Sequence, residues 1–208
     1  MPIALVDYGA GNLTSVRKAF TYLGADIFTP VSPDELDRAT AVVVPGVGHF
    51  SATRSLTSDW RDAIRRGLDA GRPLFGICVG MQWLYEGSVE APEFSGLGVV
   101  PGVCARLTGG PDRLKVPHVG WNTLRYPRPS TLFAGVDPDA SVYFTHSFAG
   151  PVTAETAATS EYGEHFAAAV EQDLVMGVQF HPEKSGDTGL AILRNFLQRV
   201  ALPVAARR

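Results

Sequence analysis

The 208-residue chain is 45% hydrophobic and 19% charged, with a formal net charge of −3, so it holds enough apolar material for one substantial core and a single domain over residues 1–208 is expected. A weakly acidic balance with no basic stripe argues against nucleic acid as a partner, and no stretch nears the ~20 apolar residues that a bilayer crossing needs. Two cysteines, Cys78 and Cys104, make no disulfide framework; with a start, MPIALVDYGAG, unlike a secretory signal, the expectation is a cytoplasmic protein with reduced thiols.

The first half alternates strand and helix signals. Ile3–Asp7 is a short apolar strand, and YGAGN after it reads as a turn. Leu13, Val16, Phe20 and Leu23 then recur at helical spacing, with Gly24 placed to close the helix. ADIFTP is a second strand, and Ser32-Pro33-Asp34-Glu35 has the form of a capping box that opens a short helix. Thr40–Gly46 (TAVVVPG) reads as a buried strand, and Trp60, Ile64 and Leu68 mark one face of a helix that Gly71 ends. A further strand and helix follow in PLFGICVGMQWLYEGS, Pro73–Ser88. This order predicts a three-layer, doubly wound α/β fold with right-handed crossovers.

From about Leu97 to Phe180 strand-like runs dominate: LGVVPGVCARL, LKVPHVGWNTL, SVYFTHSF, FAAAVEQ and LVMGVQF. The last two flank Asp173 as a hairpin would. The sheet is therefore expected to be mostly parallel but mixed, with antiparallel additions. Leu190, Leu193, Leu197 and Val200 predict a closing amphipathic helix capped by Ser185 or Asp187, before a frayed AARR tail.

The chemistry gathers at Gly76-Ile77-Cys78-Val79-Gly80, where a strand turns into a helix. A cysteine at such a corner is lifted out of the sheet, as in the G-x-S-x-G nucleophile elbow, and glycines on either side allow the bend. A helix start behind the sulfur favours thiolate, and the Val79 amide is free to meet an oxyanion. The pattern is equally compatible with a small buried hydrophobe, the commoner fate of cysteine. A catalytic thiol needs a base, and of five histidines one stands out: His181, in GVQFHPEKS, follows an apolar strand and has Glu183 two residues on. A carboxylate so placed can orient the imidazole and stabilise its charged form. VVVPGVGHF ends a strand in Pro45-Gly46-Val47-Gly48, where a backbone amide can approach a ligand and supply a second oxyanion donor beside Val79. A phosphate-cradling loop competes with that reading, but neither G-x-x-x-x-G-K-[ST] nor the later glycine of G-x-G-x-x-G is present.

PGVG, GICVGMQ and VQFHPEKS, in this order, resemble the class I glutamine amidotransferases, which have a flavodoxin-like fold. Within that class VDYGAGNLTSV, VPGVGHF, CVGMQ, VPHVGWN and YFTHSF resemble the glutaminase subunits of imidazole glycerol phosphate synthase, in histidine biosynthesis, from about Ile3 to Phe196. One departure is Val79, where that family more often has Leu; its role is a backbone amide, so little effect is expected. The resemblance implies glutamine hydrolysis, no cofactor or metal, and ammonia passed to a (β/α)₈-barrel cyclase subunit that makes imidazole glycerol phosphate and an aminoimidazole carboxamide ribotide. It implies Cys78 as nucleophile, His181 as base and Glu183 as its partner, with Val47, Gly48 and Val79 at the oxyanion. It places Gly46, Gln82, Thr145, His146 and Ser147 against glutamine, and Asn12, Trp121, Asn122, Tyr143 and Lys184 at the subunit interface. It further implies a glutaminase silent until the partner carries its nucleotide, which flexible glycines around Val47 would permit.

Overall fold

The computed structural model describes residues 1–111, 113–203 and 206; of the AARR tail, Ala205, Arg207 and Arg208 lie outside the described residues. The first half runs β1 (Pro2–Leu5), α1 (Leu13–Tyr22), β2 (Asp26–Phe28), β3 (Ala41–Val44), α2 (Ser58–Asp69), β4 (Leu74–Ile77) and α3 (Val79–Gln82). Next come β5 (Gly87–Ser88), β6 (Val103–Arg106), β7 (His118–Thr123), β8 (Ser141–His146), β9 (Phe148–Ala149), β10 (Thr156–Glu161), β11 (His165–Gln172), β12 (Val175–Val178) and α4 (Gly186–Ala201).

A seven-stranded sheet, ordered β10-β11-β12-β4-β3-β1-β2, organises the molecule. β12, β4, β3, β1 and β2 run parallel, and β10 and β11 extend the β12 edge as antiparallel strands. The parallel centre follows from composition: β3 is the run AVVV, buried along its whole length, as a strand covered on both faces must be. From β1 the chain steps to β2 on one side, and from β3 to β4 in the opposite direction. Right-handed crossovers then set α1 and α2 on opposite faces, which makes the fold three-layered and doubly wound. α4 returns to the face of α1, where Phe196 stacks on Phe75 at 4.8 Å and meets Phe20 edge-on at 6.2 Å. Asn12 starts α1 by accepting the Ser15 amide, and Gly24 at φ +82° ends it in the left-handed conformation.

Several expectations need correction. The strands of VPHVGWN and SVYFTHSF do not join the large sheet; β7 and β8 pair with each other as a separate ribbon, His118 opposite His146 and Trp121 opposite Tyr143. Of LGVVPGVCARL only β6 is strand, in a small sheet with β5 and β9. The edge strand β10, TAATSE, was not anticipated, because its alanines and threonines lack the apolar alternation that marks a strand. The predicted capping box opens a 3₁₀ helix, Pro33–Arg38: Ser32 makes no capping bond, and Glu35 accepts instead from the Val31 amide. Ser185 occupies the cap position of α4 without capping it, its hydroxyl being donated to the His181 carbonyl. The hairpin about Asp173 is present, with Gln172 opposite Val175 and Asp173 at φ +50°.

Candidate active site

Three neighbouring strands of the sheet end side by side. Gly76 of β4 lies in register with Val44 of β3 and Gly177 of β12, so the segments that follow these strands (Pro45–Gly48, Cys78–Val79 and Gln179–His181) emerge together at their carboxyl ends. Open α/β sheets bind ligands along that edge.

Cys78 carries the corner itself. Its φ of +53° and ψ of −111° lie where a non-glycine residue costs ~1–3 kcal/mol and persists only when its surroundings enforce it. The flanking glycines have a different task from the bend expected of them: neither has a positive φ, and both allow close approach. A Cβ on Gly80 would stand 1.8 Å from the Val44 carbonyl oxygen, and one on Gly76 would stand 2.6 Å from the Gly80 oxygen. Gly46 is constrained likewise, since its Cβ would meet the Tyr8 hydroxyl at 2.3 Å and the Val79 Cβ at 2.7 Å. These glycines clamp the corner against the end of β3. The helix behind it is one turn, Val79–Gln82, so macrodipole support for a thiolate is smaller than a full helix would give. Val79, first in that turn, has no intrahelical acceptor for its amide. Gly48 sits at φ +91° with open space around it.

His181 leaves β12 and is held on three sides. Its amide donates to the Tyr143 carbonyl at 2.9 Å, its carbonyl accepts the Ser185 hydroxyl at 2.6 Å, and its Nδ1 lies 2.8 Å from Glu183 Oε1. The side chains of His181 and Glu183 are each only 1% exposed. Burial works against charge on the ring, but the Cys78 thiol and the Glu183 carboxylate outweigh it and raise the pKa to about 9. His181 Nε2 makes no hydrogen bond within normal limits, so the thiol acts on the ring through a looser contact; such pairs tighten when substrate arrives.

Beside the sulfur lies a cavity of ≈ 230 Å³. Val47, Gly48, Cys78, Val79, Gln82, Thr145, His146 and Ser147 all line it, which brings eight of the sequence-predicted residues together. Gln82 follows Cys78 by one turn, its amide donating to the Cys78 carbonyl at 3.0 Å. Its Nε2 donates to the Phe148 carbonyl at 2.8 Å and to Gln179 Oε1 at 3.1 Å, while Gln179 Nε2 approaches the Cys78 sulfur at 3.6 Å. Among the described residues no group of three or more His, Cys, Asp or Glu is arranged to hold a metal.

The class-I glutamine amidotransferase family profile matches residues 4–200. This chain belongs to that family. The imidazole glycerol phosphate synthase subunit HisH of Moorella thermoacetica is 43% identical to it over 199 residues, 94% of this chain and 93% of the relative. That of Halobacterium salinarum is 45% identical over 212 residues, 96% and 94% of the two chains. Among solved structures, a glutamine amidotransferase shares the fold at TM-score 0.74 and 22% identity, covering 96% of this chain and 99% of that one. PurLQS from Thermotoga maritima does so at TM-score 0.73 and 18% identity, covering 95% and 97%.

Besides Pro117 and Phe148, which also line the cavity, the amidotransferase site holds two polar residues that the sequence does not single out. Glu90 lines the cavity and accepts the Phe50 amide at 2.7 Å, yet in the sequence it is one acid among many. Gln179 is fully buried against the thiol and sits two residues before His181, a proximity that was legible but carried no chemical signal. The five expected interface residues are not in the cavity. Trp121, 59% exposed, rules out a core role and meets Tyr143 edge-on at 6.0 Å, while Lys184 Nζ lies 5.9 Å above the same Tyr143 ring. Asn122, on the ribbon, donates to the carbonyl of Glu161 at the end of β10, the edge strand of the large sheet. Asn12 caps α1, which packs against the Pro182–Lys184 turn; with Asp7 accepting the Gly9 amide, YGAGN is the tight turn expected of it.

Proposed function

We propose that this amidotransferase is the glutaminase subunit of an imidazole glycerol phosphate synthase, acting in the cytoplasm in a heterodimer with a (β/α)₈-barrel cyclase. The reading is supported by HisH relatives at 43% and 45% identity over nearly the whole chain. For the chemistry, the observation that carries it is a buried His181–Glu183 pair 2.8 Å apart, next to a cysteine held at φ +53° beside a cavity.

Cys78 attacks the side-chain carbonyl of glutamine, and the proton it loses resides on His181. With a pKa near 9 the ring holds that proton at neutral pH and can hand it to the departing ammonia. The oxyanion of the tetrahedral intermediate is met by the amides of Val79 and the Gly46–Gly48 segment; one such donor is worth ~3–4 kcal/mol of barrier. Water deprotonated by His181 then cleaves the γ-glutamyl thioester and releases glutamate, restoring the thiol. Glu183 orients the ring throughout. Glu90, a carboxylate on the cavity wall, offers a counter-charge to the α-ammonium of glutamine. Of the two glycines around Val47, Gly48 is the one free to turn, since Gly46 is packed against Tyr8 and Val79. A partner-driven reorientation of the loop would therefore pivot at Gly48.

The exposed Trp121 and Lys184, each in contact with Tyr143, face the cyclase in this reading. The test is glutamine hydrolysis measured with and without the cyclase and its nucleotide. Stimulation by both is expected, and Cys78→Ser should abolish glutamine-dependent synthesis while leaving synthesis from ammonium salts. Equal hydrolysis by the isolated chain would identify a stand-alone hydrolase instead.

A further inference from the structure

The ribbon carries two histidines that the mechanism does not use, and their hydrogen bonds run in one direction. His118 and His146 face each other across β7 and β8, 2% and 6% exposed, with His118 Nδ1 3.0 Å from His146 Nε2. His146 Nδ1 lies 3.0 Å from the Phe148 carbonyl, which can only accept, so that nitrogen carries the proton. In a neutral ring His146 Nε2 is then the acceptor, and His118 Nδ1 must donate to it. That leaves His118 Nε2 bare, and Asn122 Nδ2 is placed to donate to it at 3.4 Å. Every donor in the series finds an acceptor under this one assignment and under no other neutral one. His118 is gripped by stacking on Tyr162 at 4.1 Å and Phe144 at 4.8 Å, so its ring is not free to turn.

The series ends in the cavity. The Phe148 carbonyl takes His146 Nδ1–H and one Gln82 Nε2 proton, and Gln82 gives its other to Gln179, which touches the sulfur. Gln82 thus has both amide protons engaged, and its Oε1 remains as an acceptor for an N–H of the substrate. We propose that His118 is a positioning residue for the glutamine site: donating through Nδ1, with Asn122 behind it, it fixes His146 and the Phe148 carbonyl so that the Gln82 carboxamide is held in one orientation. Burial supports the neutral state of both rings, lowering His118 to about 4 and His146 to about 3. The inference rests on the glutaminase reading for its kinetic consequence but not for its wiring.

Two measurements test it. In the full-length chain labelled with ¹⁵N-histidine, the nitrogen shifts at pH 7 should show both rings neutral and protonated on Nδ1; a proton on Nε2 of either ring overturns the proposal, and no mutant need fold for this. In the complex with the cyclase, His118→Phe keeps the stacking and removes the donor. It should raise KM for glutamine about tenfold, equivalent to about 1.4 kcal/mol, with kcat within about threefold of the parent. His118→Asn, whose amide nitrogen takes the place of Nδ1, should restore KM. A folded His118→Phe complex with unchanged KM, or one defective only in kcat, overturns the proposal. An unmutated complex that fails to hydrolyse glutamine would overturn the proposed function instead, and the nitrogen shifts would still decide the wiring.

Discussion

Gly80→Ala sets two effects against each other. Gly80 lies in the single turn after Cys78, where helix propensity alone would have alanine stabilise by ~1 kcal/mol. The added Cβ would stand 1.8 Å from the Val44 oxygen and 2.7 Å from its carbonyl carbon, so to reach an ordinary 3.4 Å contact the turn must retreat about 1.6 Å from β3. Those atoms are backbone at the end of an interior strand and cannot swing aside. Overpacking of this kind costs ~1–3 kcal/mol, which cancels the propensity gain at least and leaves a net loss of up to ~2 kcal/mol; in a chain of this size that lowers Tm by up to roughly 8 °C. Activity should suffer more than stability. The retreat carries Cys78 and Val79 away from Val47 and Gly48, and a misplacement of ~1 Å in a reacting site costs ~10²-fold. The assay is glutamine-dependent against ammonium-dependent synthesis in the complex, with thermal unfolding alongside. Gly87→Ala, whose Cβ meets only the Phe94 oxygen at 3.5 Å, serves as control. A Gly80→Ala chain with parental turnover and an equal or higher Tm would refute the claim that this glycine clamps the corner.

Glu183→Gln should lower glutamine turnover without abolishing it, because Glu183 acts through His181. It should also change the alkaline limb of stability. His181 is raised to about 9 in the folded chain, so its stabilising contribution is complete below its ordinary value of 6.5 and is lost as pH rises through 9; the parent's unfolding free energy should fall between pH 7 and 9, and the variant's should be flatter. At the acid end the sign reverses. His118 and His146 stay neutral in the fold down to about 4 and about 3, while the unfolded chain takes up protons below 6.5. Stability should therefore drop from pH 6.5 toward 4, and His118→Phe should reduce the slope near pH 5 by ~1 kcal/mol per pH unit, read from urea titrations. Limited iodoacetamide should give one adduct, at Cys78. Burial pushes the Cys104 thiol far up and leaves it inert, and Cys104→Ala should keep turnover; a doubly modified chain under the same conditions would contradict this.

What the amino-acid order determined by itself was local. A β-branched run such as AVVV, closed by Pro45-Gly46, favours a covered strand, Gly24 after Tyr22 and Leu23 ends a helix cheaply, and a cysteine between spaced glycines at a strand end announces a corner. His181 with Glu183 two residues on was readable for the same reason, since both belong to one short loop. The tertiary structure decided what depends on distant partners. Residues 78 and 179 are brought together by strand order, because β12 enters the sheet beside β4 from a hundred residues away. Pairing of β7 with β8 as a ribbon apart from the large sheet, and the facing of His118 and His146 within it, follows from register, which alternation alone does not specify. Even the glycines of the corner had their purpose assigned by packing: local reading saw freedom to bend, whereas the Val44 carbonyl pressed against Gly80 shows that they make room for another strand's backbone. Side-chain pattern encodes which face is apolar, but only the closed chain sets which atoms then touch.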